Sequence, residues 1–313
     1  MPMREQLYVA AAAYATWFAS TLHHKDSISD WGSEKLAALI SAALRRGGQA
    51  LGIDSKMVLD GIEPEEFQRL RPVVMTILPH GAFMLGSLCL HLGRMRHDER
   101  VRPLRALAAG ASVLLHIPGL RELLLLVGVR DANSATVDAA VTSGRSVVLN
   151  PGGVWEQVNT SHEREALYVQ PSLGFIRLAL RHGTPLLPMY GFGETQLWRT
   201  HGAFLKHRQW AAEHLRVGLP LVSGRLGTIL PLALPYGHTL VVGKPIDVGP
   251  PNPSPSDADV QRVFELWSAE VHRIFDAHKH ECLPPEVAAQ GLTIEIRAAR
   301  DASTSTEPPR SRL

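Results

Sequence analysis

Short apolar runs alternate with amphipathic segments between residues 61 and 290 of the chain. The runs at 73–78, 146–149, 185–190 and 239–242 are each followed directly by proline, asparagine or glycine. Runs this short, stopped by turn-forming residues, are typical of strands buried on both faces. Because they alternate with helical patterns, we predict an α/β fold in which a mixed sheet is flanked by helices.

Two segments show the spacing of helices with one buried face. The clearer one follows a proline-rich loop at 249–257, and its apolar residues recur three and four positions apart. They are Val260, Val263, Phe264, Trp267, Val271, Ile274 and Phe275. The other predicted helix is 174–182, which has Arg177 on its polar face and ends at Gly183. A third helix is predicted over residues 82–92.

The two ends of the chain differ from this central part. Residues 1–60 are rich in alanine and predict helices, one over 34–46 that stops at Gly47. The charge-free run at 7–22 has about 16 residues, short of the ~20 that span a bilayer. It fits a packed helix or an interfacial anchor with its aromatic residues at the headgroups. Residues 291–313 are predicted to be a disordered tail, so the domain proper is 61–290.

Composition narrows the possible functions. The formal net charge of +2 is too small to indicate a nucleic-acid partner. The two cysteines have no metal-binding or redox spacing, and the paired histidines lack further ligands nearby, so we expect no bound metal or cofactor. There is no G-x-S-x-G motif, which argues against an α/β-hydrolase.

The main candidate for chemistry is LPHG at residues 78–81, where a strand gives way to a loop. His80 has the side chain best matched to proton transfer near neutral pH. Pro79 fixes the backbone before it, and Gly81 removes bulk so that a substrate carbonyl can approach. By itself such a tetrapeptide is more often a structural turn.

Four blocks in order make the chain resemble the diacylglycerol/monoacylglycerol acyltransferase family, the type 2 diacylglycerol acyltransferases and their relatives. These blocks are LPHG at 78–81, NPGGVWE at 150–156, GFIRLALRHGTPLLPMYGFGE at 174–194 and VVGKPI at 241–246. The third block is the most specific. The resemblance covers roughly residues 70–290 and implies a layered glycerolipid-acyltransferase-like domain.

The resemblance implies an enzyme that transfers a fatty acyl group from acyl-CoA, as co-substrate, to the hydroxyl of diacylglycerol, giving triacylglycerol. Leu78 stands where the family usually has a histidine. Leu85 stands where related glycerophosphate acyltransferases have an aspartate, and the second block has no arginine. Without a cation there, a neutral acceptor is favoured over a lysophosphate. Monoacylglycerol, a long-chain alcohol or a lysolipid are alternative acceptors, and a non-catalytic lipid-binding protein is a further alternative.

Roles for individual residues follow from the same resemblance. His80 is the expected general base and Glu156 its catalytic partner, with Glu194 competing for that role. The N–H groups of Gly152 and Gly153 are candidate oxyanion donors. The expected substrate-binding residues are Pro79, Gly81, Gly152, Gly153, Arg177 and Glu194, with Arg177 directed at CoA phosphates. A lipid acceptor implies a membrane surface, at the endoplasmic reticulum or a lipid droplet, and leaves homo-oligomerisation open.

Overall fold

The computed structural model describes residues 3–84, 86–87, 101–227 and 232–297. Its strands are β1 Ser55–Leu59, β2 Val74–Leu78, β3 Leu107–Gly110, β4 Val129–Asp131, β5 Val147–Leu149, β6 Glu165–Val169, β7 Leu186–Phe192, β8 Arg199–Thr200, β9 Val222–Ser223, β10 His238–Val242 and β11 Leu292–Ile296. Its α-helices are α1 Met3–Ser20, α2 Glu34–Ala50, α3 Pro64–Arg69, α4 Leu120–Leu126, α5 Ser134–Thr142, α6 Gly153–Asn159, α7 Gly174–His182, α8 Leu205–His214, α9 Asp257–Cys282 and α10 Pro285–Gln290. Short 3₁₀ helices occupy Leu22–Asp26, Arg102–Leu104, Ser112–His116 and Thr195–Leu197.

A seven-stranded mixed sheet in the order β1-β10-β7-β2-β5-β3-β4 forms the centre of the molecule. The strand β2 runs parallel to both of its neighbours, β5 and β7, so the carboxyl ends of all three meet at one edge. The strand β10 is antiparallel to β7, which brings its amino end to that same edge. This edge is called the carboxyl edge below. In sheets of this kind, the crevice outside the strand ends is the usual place for a ligand site.

Alternate residues of β2 enter the two halves of the core, as the period of two in a strand requires. Val74 and Leu78 pack with Phe175 of α7 and Trp267 of α9 on one face. Met75 and Ile77 pack on the other face, among residues of α4 and its flanking segments. The buried Trp267 Nε1 donates to Thr76 Oγ1 at 2.9 Å, so the polar group within this strand is satisfied. Both faces of β2 are therefore covered, as its mostly apolar run predicts.

The mixed sheet flanked by helices is confirmed, and so are the four predicted strands as β2, β5, β7 and β10. The helices predicted at Gly174–His182 and in the C-terminal part are α7 and α9. All the predicted core positions of α9 are buried apart from Phe264, which packs half-buried against them. The helix predicted over 82–92 falls mostly outside the described residues.

Three predictions about the chain ends are wrong. Residues 1–60 are not all helical, because Ser55–Leu59 pairs with β10 and extends the main sheet across the predicted boundary at residue 60. The helix α2 passes through Gly47 and continues to Ala50. Gly52, whose φ of +75° suits glycine, follows its end instead. The predicted tail begins too early, because Leu292–Ile296 forms β11 and pairs in parallel with β6. Residues 298–313 of that tail lie outside the described residues.

The N-terminal run forms α1, which is mostly exposed. Near its end, Tyr14 Oη donates to Glu122 Oε2 at 2.9 Å, and the buried Arg121 donates to Phe18 O at 2.9 Å. The Arg121 guanidinium also lies 3.8 Å from the centre of the Phe18 ring, within cation–π range. Toward the other end, Leu7, Tyr8 and Val9 are at least 60% exposed. Within the described residues, no helix has both the length and the hydropathy needed to cross a bilayer.

Candidate active site

Three adjacent strand ends build the candidate site at the carboxyl edge. His80 lies just beyond β2, Glu156 lies in α6 beyond β5, and Glu194 lies just beyond β7. Because β5, β2 and β7 are neighbours in the sheet, residues far apart in the chain meet around the His80 loop. The structure therefore places His80 between two glutamates that the sequence had already singled out.

The His80 ring is held by its own loop. Its Nδ1 lies 3.1 Å from the carbonyl oxygen of Gly81. A carbonyl oxygen only accepts hydrogen bonds, so this contact assigns the hydrogen to Nδ1 and leaves the lone pair on Nε2. Burial lowers the pKa of His80, against the opposing effects of the Gly81 carbonyl and of Glu194. The neutral imidazole, with Nε2 free to accept a proton, is thus the favoured form near pH 7.

Glu156 contacts the main chain of His80. The His80 N–H donates to Glu156 Oε1 at 2.9 Å, and the glutamate is 1% exposed. Among the described residues, Glu156 Oε2 has no hydrogen-bond partner. Burial raises the pKa of Glu156 to about 8, opposed by the His80 N–H and reinforced by the nearby Glu165. At pH 7 this carboxyl is mostly protonated, and its contact positions the loop that carries His80.

Glu194 lies on the opposite side of the same loop and has a different set of partners. It is fully buried, and it accepts from Ser87 N–H at 2.8 Å, Ser87 Oγ at 3.0 Å and Gly86 N–H at 3.3 Å. His238 Nε2, also buried, lies 3.3 Å from Glu194 Oε2. These contacts hold the carboxyl group of Glu194 between the Ser87 segment and the first residue of β10.

Gly81 is required by the contact between the His80 loop and Glu194. Its φ of +59° is in the left-handed region, and a Cβ added there would lie 2.8 Å from Glu194 Cγ. The glycine thus lets the loop pack directly on the glutamate. Pro79 precedes His80 within this loop, as the sequence indicated.

The two glycines of the second block do not support the predicted oxyanion hole. The N–H groups of Gly152 and Gly153 both donate to Asn150 Oδ1, at 3.2 and 2.9 Å. The Asn150 amide in turn donates to Ile77 O at 2.9 Å, which ties this turn to β2. Both N–H groups are therefore used inside the turn. A Cβ at Gly152 would lie 2.0 Å from Glu156 Oε2, so this glycine makes room for the buried acid.

Arg177 is engaged within the protein. Its guanidinium donates to Ser172 O, Pro255 O and Asp257 Oδ1, the last at 2.6 Å. The structure therefore does not bring Arg177 together with His80, Glu156 and Glu194. The described residues also contain no cluster of three or more His, Cys, Asp or Glu side chains arranged to bind a metal ion.

Sequence reasoning missed Ser87, Asn150 and His238 as parts of this site. His238 begins β10, next to the fourth block, and Asn150 begins the second, so their positions beside the blocks were an available signal. Ser87 is 151 residues from His238, and no local pattern links the two.

The chain is similar in sequence to several enzymes of known activity. The chain is 29% identical to human 2-acylglycerol O-acyltransferase 3 over 69% of this chain and 67% of that protein. It is 25% identical to rat diacylglycerol O-acyltransferase 2 over 89% of this chain and 73% of that protein. A similar enzyme from Dictyostelium discoideum, diacylglycerol O-acyltransferase 2, is 27% identical over 66% of each chain.

No solved structure matches the chain significantly. The family model described as diacylglycerol acyltransferase, however, matches residues 16–288, a span that includes His80, Glu156, Glu194 and His238. The protein therefore belongs to the diacylglycerol acyltransferase family.

Proposed function

We propose that this protein is an O-acyltransferase that moves a fatty acyl group from acyl-CoA to the free hydroxyl of diacylglycerol, giving triacylglycerol. The observation that carries the proposal is the contact of His80 Nδ1 with the Gly81 carbonyl, in a loop at the carboxyl edge of the sheet. This contact leaves Nε2 as the candidate proton acceptor, and the chain belongs to an acyltransferase family. The layering of its sheet and helices is, on this proposal, that of the glycerolipid acyltransferases. The names of the related enzymes support both the reaction and its acceptor.

The proposed chemistry is a direct transfer without an acyl-enzyme. His80 Nε2 takes the proton of the acceptor hydroxyl while that oxygen bonds to the thioester carbonyl carbon. The tetrahedral intermediate then collapses, its carbon–sulfur bond breaks, and the departing CoA sulfur takes the proton from the imidazolium. General-base help of this kind contributes ~10²–10⁴-fold. Glu156 holds the His80 loop by its main chain, and the Glu194 carboxylate stabilises the transient imidazolium.

The acceptor is proposed to be neutral. Diacylglycerol is favoured because several related proteins are named for it. Monoacylglycerol is the second candidate, because another related protein is a 2-acylglycerol O-acyltransferase. Long-chain alcohols and lysolipids would use the same base. A panel of these acceptors with radiolabelled oleoyl-CoA, resolved by thin-layer chromatography, identifies the product, and we expect triacylglycerol to dominate.

The carboxyl edge is proposed to face a membrane, from which the lipid acceptor enters. Exposed apolar side chains follow the carboxyl ends of two strands: Phe83 after β2, and Val113 and Ile117 after β3. The exposed Phe204 and Trp210 belong to the start and body of α8, which contacts α6 beyond β5 where Gln209 donates to Asn159 Oδ1 at 2.7 Å. The exposed end of α1 adds Leu7, Tyr8 and Val9. Aromatic and aliphatic side chains of this kind partition into the bilayer interface. In a eukaryotic cell this surface would be that of the endoplasmic reticulum or a lipid droplet.

Replacing His80 by alanine tests the reaction. We expect turnover with oleoyl-CoA and diacylglycerol to fall at least 10²-fold while the fold is kept. His278→Ala is the matched control, because that histidine also contacts a carboxylate, Asp60 Oδ2 at 2.8 Å, but belongs to α9. Near-normal turnover in His80→Ala would overturn the assignment. A wild-type protein that acylates none of the acceptors would favour the non-catalytic lipid-binding alternative.

Sedimentation with phosphatidylcholine vesicles that contain diacylglycerol tests the membrane surface. We expect Trp210→Ser combined with Phe204→Ser to weaken vesicle binding severalfold. Leu266→Ser is the control, because this residue is also exposed, at 46%, but belongs to α9, the helix whose Trp267 covers one face of the sheet. Equal losses in the two proteins would argue against the carboxyl edge as the docking face.

A further inference from the structure

A buried polar cluster lies on the far side of Glu194 from the His80 loop. It consists of Ser87, His238 and Glu194, and none of the three side chains is exposed by more than 1%. Ser87 Oγ and His238 Nε2 lie 3.0 and 3.3 Å from the same oxygen, Glu194 Oε2. A buried carboxylate is costly unless donors surround it, and here the donors come from two distant parts of the chain.

The backbone is shaped around the His238 ring. A Cβ added to Gly86 would lie 2.1 Å from His238 Cδ2, and one added to Gly191 would lie 3.0 Å from His238 Nε2. Two glycines on separate segments thus form a slot that leaves room for the imidazole. Ser87 Oγ gives its one hydrogen to Glu194, so in its 3.5 Å contact with His238 Nε2 the ring nitrogen is the donor.

Glu194 connects this slot to the reacting histidine. The glutamate packs directly against Gly81, the residue after His80, and its charge favours the protonated form of the His80 ring. Among the described residues, the titratable groups that face the His80 loop are Glu156 of α6 and Glu194, and Glu194 in turn faces His238 of β10.

We infer that His238 and Ser87 are positioning residues for the proposed acyl transfer, because their contacts hold the Glu194 carboxyl group against the loop that carries His80. Glu194 then stabilises the imidazolium that forms when His80 takes the acceptor proton. This inference rests on the proposed function. Neither residue touches the reacting atoms, so both act through the carboxylate.

Four variants test the inference by kcat, KM and the pH profile of kcat/KM. His238→Leu removes one of the contacts that fix the Glu194 carboxyl group, so this group is no longer held closely beside the His80 loop. We expect kcat at pH 7 to fall about tenfold and KM for oleoyl-CoA to stay within about twofold. The acid limb of the profile should move about half a pH unit lower, since His80 loses a neighbouring negative charge. Ser87→Ala should lower kcat and shift the acid limb in the same direction, each by a smaller amount.

His238→Gln is the conservative variant, because its side-chain amide can still donate to Glu194. It should restore the wild-type acid limb and most of kcat. His278→Leu is the matched control, because it removes a histidine that contacts a different carboxylate, Asp60. We expect it to leave kcat and the acid limb of the pH profile unchanged. Circular dichroism and thermal melting show whether each variant folds. If His238→Leu does not fold, the acid limb and kcat of Ser87→Ala are compared with those of His238→Gln instead.

The inference is overturned if the acid limb does not move in His238→Leu or Ser87→Ala. It is also overturned if kcat falls as far in His238→Gln as in His238→Leu. The latter result would mean that the slot serves only packing. A wild-type enzyme with no activity toward any acceptor would instead count against the proposed function, so the two failures are distinguishable.

Discussion

The two sides of the His80 loop carry the same residue type at nearly the same burial, yet they differ in chemistry. On one side, Glu156 has one oxygen on the His80 N–H and another without a partner among the described residues. On the other side, Glu194 accepts from Gly86 and Ser87, and His238 Nε2 lies 3.3 Å from its Oε2. Burial raises the pKa of Glu156 to about 8, whereas the groups around Glu194 fix the position of its carboxyl group. On the proposed function, Glu156 therefore clamps the loop by its main chain, and Glu194 supports the imidazolium of His80.

The largest expected effect is on stability, through the proton on Glu156. Its pKa is raised from 4.5 to about 8 in the folded protein, so between these values the folded state binds one proton more than the unfolded state. The free energy of unfolding therefore falls as pH rises through that window, by up to about 1.4 kcal/mol per pH unit from this group. Over the whole window the loss is on the order of a few kcal/mol.

Glu156→Gln removes this titration and keeps a neutral group in place. We expect urea denaturation between pH 5.5 and 8.5 to show a flatter stability profile for the variant than for the wild type. Glu165 is also a buried acid with a raised pKa, and its contribution remains in both proteins, so the difference isolates Glu156. Parallel profiles would mean that Glu156 is ionised in the fold.

The next effect is on catalysis, through the charge of Glu194. Glu194→Gln removes the negative charge and should lower kcat about 10²-fold, because the imidazolium of His80 loses its support. Glu165→Gln is the control, since Glu165 is equally buried and accepts from Tyr190, Thr195 and Gln196 without contacting the His80 loop. A comparable kcat loss in Glu165→Gln would mean that the loss in Glu194→Gln comes from disrupting a buried hydrogen-bond network and not from removing the charge near His80.

A smaller effect on kcat shows whether Glu156 acts by holding the His80 main chain or by its negative charge. Glu156→Gln keeps an oxygen to accept from the His80 N–H, so we expect kcat at pH 7 within about threefold of wild type. Glu156→Ala removes the acceptor and leaves a buried N–H unpaired, which should lower kcat about tenfold. If glutamine is as harmful as alanine, Glu156 acts through its charge, as a catalytic carboxylate would.

The smallest effect is expected at Arg177, which lies outside the comparison between the two glutamates. Its partner Asp257 has a side chain that is 96% exposed, and such surface ion pairs contribute little. Arg177→Ala should therefore change KM for oleoyl-CoA by less than about twofold. A severalfold rise in KM with unchanged kcat would instead restore the role for Arg177 in binding CoA phosphates.

The strands of the sheet centre and the longest helix were predictable because their pattern is local. An apolar run such as 73–78 has only one environment that suits it, a strand covered on both faces. The strands β1 and β11 were missed because both are only partly buried and each pairs with a distant segment, β10 and β6. Each has three apolar residues but is only five residues long, so the long-range pairing determines it.

Within the site, the sequence by itself predicted the candidate base, the glycine that follows it and the resemblance to the family. Those predictions concern residues adjacent in the chain, because Pro79, His80 and Gly81 form one loop. Only the tertiary structure decided that Glu156 is a buried acid with a raised pKa, and that Asn150 uses the N–H groups of Gly152 and Gly153. Solvent exclusion, which raises the pKa of Glu156, and the approach of Ser87 and His238 to Glu194 both require that the sheet has formed.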